Sequence, residues 1–107
     1  MASALVLCAD IMTASRFSAP GHEVTVARSM EQARARLRAS PVAVLVIDLT
    51  AFPAGAGDLR ESAGGATVVG FAPHVREDLL GPAAETCDVV LPRGAVARRL
   101  PHLLEQA

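Results

Sequence analysis

Residues 41–50 read PVAVLVIDLT, and residues 42–47 are apolar without a break before Asp48. An uninterrupted run this rich in Val and Ile is the pattern of a strand buried on both faces, as at the centre of a parallel sheet. Open parallel sheets place ligand and reaction sites just beyond the carboxyl ends of their strands. Asp48 stands at such an end and is the first candidate functional residue.

Working outward, residues 4–9 (ALVLCA) form a second continuous apolar run ending at Asp10, which reads as the first strand. Thr13 is the expected N-cap of a short helix over residues 13–17, closed by Ala19-Pro20-Gly21. Residues 22–27 (HEVTVA) alternate polar and apolar, as a half-exposed edge strand does. Ser29 and Gln32 stand at capping-box spacing ahead of a helix that carries Met30, Ala33 and Leu37 on one side and stops at Pro41. Residues 51–57 (AFPAGAG) read as a loop, followed by a short helix over 58–62 that Gly64 and Gly65 end. A fourth strand (66–71, ATVVGF), a helix over 76–86 interrupted near Gly81-Pro82, and a fifth strand (88–91, DVVL) follow. Val96, Leu100, Leu103 and Leu104 then mark a last helix. Five β-α repeats imply an α/β fold: a doubly wound, flavodoxin-like (βα)5 sandwich whose five-stranded parallel sheet runs 2-1-3-4-5, with shortened helices.

At 107 residues the chain (1–107) holds one core and reads as a single domain. Its 51% apolar content excludes a disordered chain, and a net charge of -1 gives no field to recruit nucleic acid or an anionic membrane. No apolar run approaches the ~20 residues that span a bilayer, and the N-terminus lacks a basic signal-peptide region, so a cytoplasmic location is expected. Cys8 and Cys87 lack metal-ligand spacing and read as reduced core residues. All 10 basic side chains are arginine, none lysine, and the Ala/Arg richness suits a GC-rich bacterial genome. Arg28, Arg34, Arg36 and Arg38 read as a solvated face, since the chain has no Trp or Tyr on which bases would stack. Residues 54–58 (AGAGD) match neither GxGxxG nor a GK[ST] phosphate loop and follow the third strand, not the first.

With the strands placed, the chain resembles the receiver domain of bacterial response regulators along nearly its whole length. The most telling part is residues 21–50, GHEVTVARSMEQARARLRASPVAVLVIDLT, which is similar to the receiver's second strand, second helix and third strand with its phosphoacceptor Asp-Leu. The resemblance implies that Asp48 takes the phosphoacceptor position. Cys8-Ala9-Asp10 falls where the family carries two acidic metal ligands, so Asp10 matches the second and Ala9 replaces the first. Residues 88–94 (DVVLPRG) resemble the fifth strand and its Lys-Pro turn, with Leu91 in the lysine's place. Phe71 stands where a Ser or Thr closes the fourth strand.

These departures have a chemical meaning. Phosphoryl transfer to a carboxylate needs the charge on the transferred oxygens neutralised and the acceptor held in line. Asp10 and Asp48 retain the capacity for a weakly held, hydrated Mg²⁺, an ion that often uses one or two carboxylates. The ammonium and the hydroxyl are gone. The expected protein is a degenerate pseudo-receiver in bacterial two-component signalling, acting by protein–protein interaction and not as an enzyme, with no cofactor beyond weak Mg²⁺. Two alternatives stand beside it: a working phosphoacceptor receiver using Asp48, and a small-ligand or nucleotide binder using the same crevice.

Arg93 reads as a solvated surface residue in preference to an anion contact, and His74 as a loop residue on the crevice rim. Leu79, Leu80, Val96, Arg99 and Leu103 nominate the face of the last two helices as a surface for a partner protein or for a homodimer. Ordinary core packing is the alternative for these apolar side chains.

Overall fold

The computed structural model describes residues 2–106, which form β1 (Ser3–Leu7), α1 (Ile11–Ala14), β2 (Glu23–Ala27), α2 (Met30–Ala39), β3 (Val44–Asp48), α3 (Gly55–Ala63), β4 (Thr67–Ala72), α4 (Glu77–Ala83), β5 (Val89–Pro92) and α5 (Arg93–Glu105). The strands pair in parallel in the order β2-β1-β3-β4-β5. Every residue of β3 is buried, as its unbroken apolar run requires of a strand covered on both faces.

Alternation along the strands divides the core into two layers. Leu5, Leu7, Leu45, Ile47 and Val68 pack with Ala33 and Leu37 of α2, Ala56, Leu59 and Ala63 of α3, and Ala83 of α4. On the other face Ala4, Val6, Val44, Val46, Val69 and Phe71 meet Ala14 of α1 and Val96, Leu100, Leu103 and Leu104 of α5. The doubly wound sandwich and its strand order are as the sequence implies.

Several details differ. The first helix begins at Ile11, not Thr13, because Asp10 in extended conformation is its N-cap and accepts from the Met12 amide. Thr13 lies inside that turn and is buried. The AGAGD stretch is not a loop: Gly55, Ala56, Gly57 and Asp58 are the first turn of α3. A small residue is needed at Gly55, where an added Cβ would lie 3.0 Å from Cγ2 of Ile47 and 3.2 Å from Cβ of Phe52. The Ser29 cap is formed as expected, its hydroxyl accepting from the Gln32 amide, while the Gln32 side chain reaches one residue further back than a capping box and accepts from the Arg28 amide.

At the far end of the sheet, opposite the strand ends that matter for function, Arg60 donates to both oxygens of Asp88 at 2.9 and 3.1 Å. Asp88 Oδ2 also accepts from the Val68 amide at 2.8 Å, so α3, β4 and the start of β5 share one tie. The Arg60 hydrogen bonds, followed by that amide, hold the Asp88 carboxyl below the usual carboxylate range. Cys8 and Cys87 are buried free thiols.

Among the glycines, Gly70 in β4 leaves the least room for a side chain. A Cβ there would meet Cys87 Sγ at 2.8 Å and Leu49 Cδ1 at 3.0 Å. Gly70→Ala is expected to cost about 1–3 kcal/mol through overpacking, read as a lowered urea midpoint with an unchanged m-value.

Candidate functional site

Asp48 ends β3 at the carboxyl edge of the sheet, on the same face as Val44 and Val46 and therefore towards α1 and α5. Its residue is 8% exposed. Oδ1 accepts from the Thr50 amide at 3.0 Å, and Oδ2 receives a long contact, 3.8 Å, from the Cys8 thiol. Burial pushes the Cys8 thiol up, with the Asp48 and Asp10 carboxylates adding to the rise, the opposite of the lowering that activates a cysteine.

The β-ladder sets Asp48, Phe71 and Leu91 in one row across three strands. Phe71 is 1% exposed, and its ring lies 5.7 Å from that of Phe17, tilted by 50°. Leu91 is buried in the same cluster. The two positions that the resemblance associates with a hydroxyl and an ammonium are thus filled by packed hydrocarbon, with Phe71 anchored from below by the β1–β2 connection.

The polar groups of the edge gather on its other side. Ala9, Asp10, Asp48, Thr50, Ala51 and Arg93 line a cleft of about 280 Å³. Arg93 is exposed, as expected of a surface residue, and also reaches across the cleft: it donates to the Thr13 hydroxyl at 2.7 Å and meets Asp10 Oδ2 at 3.4 Å. The Thr13 hydroxyl in turn donates to Asp10 Oδ2 at 2.6 Å. The Thr13 hydroxyl, then the backbone amides and the Arg93 guanidinium, hold the Asp10 carboxyl below its ordinary range. A second guanidinium, Arg28, donates to the carbonyl of Ala9 at 3.4 Å, beside the position where the resemblance places the missing acid.

This donor set does not fit the Mg²⁺ that the fold implies. Mg²⁺ demands near-octahedral oxygen ligands at 2.0–2.1 Å. Here both Asp10 oxygens are engaged by protein donors, one Asp48 oxygen accepts an amide, and Ala9 has no side-chain ligand. Among the described residues no group of three or more His, Cys, Asp or Glu side chains is placed to hold a metal ion.

His74 is exposed and does not line the cleft. The nominated residues flank the outer strand β5, on α4 and α5, and most of them are at least partly buried. Val96 and Leu103 are core residues packed under α5, 1% and 8% exposed, whereas Leu79 and Leu80 pack against the opposite layer. Of the five nominated residues only Arg99 is exposed. Thr13 and Arg93 were missed as site residues. The Asp10-x-x-Thr13 spacing carried a capping signal for the first, while nothing local shows that Arg93 folds back across the sheet edge.

Comparison with solved structures agrees with this architecture. The chain superposes on a response regulator from Thermotoga maritima with a TM-score of 0.80 at 14% identity, covering 98% of each chain. The fold is that of a response-regulator receiver domain. A Francisella response-regulator receiver domain gives 0.75 at 17% identity over 99% of this chain and 98% of that one. A LuxR family DNA-binding response regulator from Silicibacter pomeroyi gives 0.76 at 20% identity over 99% and 93%. No protein-family model and no curated protein matches the sequence. The receiver-like domain therefore shares its backbone with these proteins at low sequence identity.

Two outcomes follow from the site. Phe71→Ala is expected to cost about 3–5 kcal/mol in a urea melt, the range for emptying a buried aromatic position, because Phe17 loses its partner as well. The lowered Asp10 carboxyl stabilises the fold above its unfolded-state pKa of about 3.9, and that contribution is lost as pH falls through the lower folded-state value. The advantage of wild type over Asp10→Asn is therefore expected to be full at neutral pH and to close below about pH 4, as measured by parallel melts.

Proposed function

We propose that this chain is a regulatory module of the receiver type that works by docking another protein, without an aspartyl-phosphate cycle. One observation carries this reading: Asp48 shares its row with buried Phe71 and Leu91 in a chain that contains no lysine. A phosphoryl group on Asp48 would bring at least one more negative charge into a cleft holding two carboxylates and a single guanidinium, Arg93, that is already engaged with Asp10 and Thr13. Neither an ammonium nor a strand-end hydroxyl stands in that row to receive it. The apolar plug formed by Phe71 and Phe17 also removes the space into which a hydroxyl would swing, so the usual lever between phosphorylation and shape is absent.

On this reading the module has no catalytic residues and needs no cofactor, and its output passes through contact with a partner in bacterial cytoplasmic signalling. Its polar outer surface on α5, with Arg98, Arg99 and His102 exposed, suits a reversible protein contact better than a permanent apolar one.

Intact mass after incubation with acetyl phosphate and Mg²⁺, run beside Asp48→Asn, tests the proposal. The expected result is no adduct on either folded protein. A phosphate adduct on wild type that disappears in Asp48→Asn would make this a phosphorylation-gated receiver and overturn the reading.

A further inference from the structure

The acidic cleft holds Asp10 and Asp48 but is not left as a bare pair of carboxylates. Arg93 is the first residue of α5, directly after Pro92, whose fixed φ of -68° launches the helix from the end of β5. From there the side chain reaches 80 and 83 residues back along the chain, to Thr13 and Asp10 at the start of α1. The three groups close a ring: Arg93 to Thr13 at 2.7 Å, Thr13 to Asp10 at 2.6 Å, Arg93 to Asp10 at 3.4 Å. Asp10 Oδ1 is meanwhile the cap of α1.

We infer that Arg93 is the resident cation of this cleft: its guanidinium takes the place of a divalent ion and keeps Mg²⁺ and Mn²⁺ out. The position of the charge supports it: the guanidinium meets Asp10 Oδ2 at 3.4 Å, with both side chains about half exposed (48% each), so a dication taking that oxygen would sit at contact distance from a fixed positive charge. The geometry supports it as well. An entering ion would have to break the Thr13 and Arg93 contacts and compete with an N-cap before gaining an oxygen from Asp10. Arg93 also joins α1 to α5 over the edge of the sheet, so the substitution of an internal cation for a metal makes the shape of the cleft independent of ion supply. This deepens the proposed function and rests on it for the absence of a phosphorylation cycle.

The test uses Mn²⁺ as the probe. Wild type is expected to show no site-specific paramagnetic broadening of the amides around Asp10 and Asp48, and no rise in Tm with Mn²⁺ or Mg²⁺. Arg93→Ala, or Arg93→Met where the shorter side chain does not fold, is expected to gain affinity for Mn²⁺ by about 10–100-fold. Adding Asp48→Asn in that background should remove the gain. Broadening at Asp10 and Asp48 in wild type, equal to that in the Arg93 variants, would overturn the inference, as would Arg93 variants that fold and gain nothing. Neither result touches the phosphate-adduct measurement, so a failure here is distinguishable from a failure of the proposed function.

Discussion

Burial of β3 on both faces is the constraint from which the remaining structure follows. A strand covered on each side needs helices in two layers, and parallel neighbours need crossovers long enough to return to the same edge. Those crossovers place α2, α3 and α4 on one face and α1 and α5 on the other. They also bring the loops after β1, β3 and β5 together at one end of the sheet. Asp10, Asp48 and Arg93 are far apart in sequence and line one cleft for that reason. The only polar residue of β3 is the one at its exit, where a carboxylate reaches an amide donor and solvent.

The strand pattern was legible because it rests on the local order of apolar and polar residues. Continuous apolar runs mark β1 and β3, alternation marks β2, and the five repeats leave few topologies open. The helix starts were less legible. Asp10 offers a carboxylate that suits either a metal or a cap, and the nearby backbone decides between them. Gly55 and Gly57 look like loop residues, but the close approach of α3 to Ile47 makes a glycine the residue that fits a helix there. The burial of the apolar residues nominated for a partner was hard to read for a different reason. Leu79 and Leu80 on α4 and Val96 and Leu103 on α5 lie on opposite sides of the sheet, and helical spacing within each segment says nothing about which side that is.

Arg93 marks the limit of reading from sequence most clearly. Its backbone position is set by Pro92, yet the direction of a long side chain depends on what lies across the edge. The chain contains no lysine, and only the assembled edge shows that an arginine lies against Asp10 and Thr13. The same edge therefore has two characters: Phe71 and Leu91 put packed hydrocarbon in the row of Asp48, and a guanidinium stands beside Asp10.

The layout of β5 bears on the behaviour of the protein in solution. It is an outer strand of four residues, and its last residue, Pro92, has no amide hydrogen to offer an incoming strand. The opposite outer strand, β2, begins at the charged Glu23 and is followed by the exposed Arg28. A sheet otherwise built from Val, Leu and Ile would be a template for edge-to-edge growth if its margins were long, flat and apolar. Its margins are short on one side and flanked by charge on the other. The apolar interior can therefore be rich without inviting neighbouring molecules to extend it.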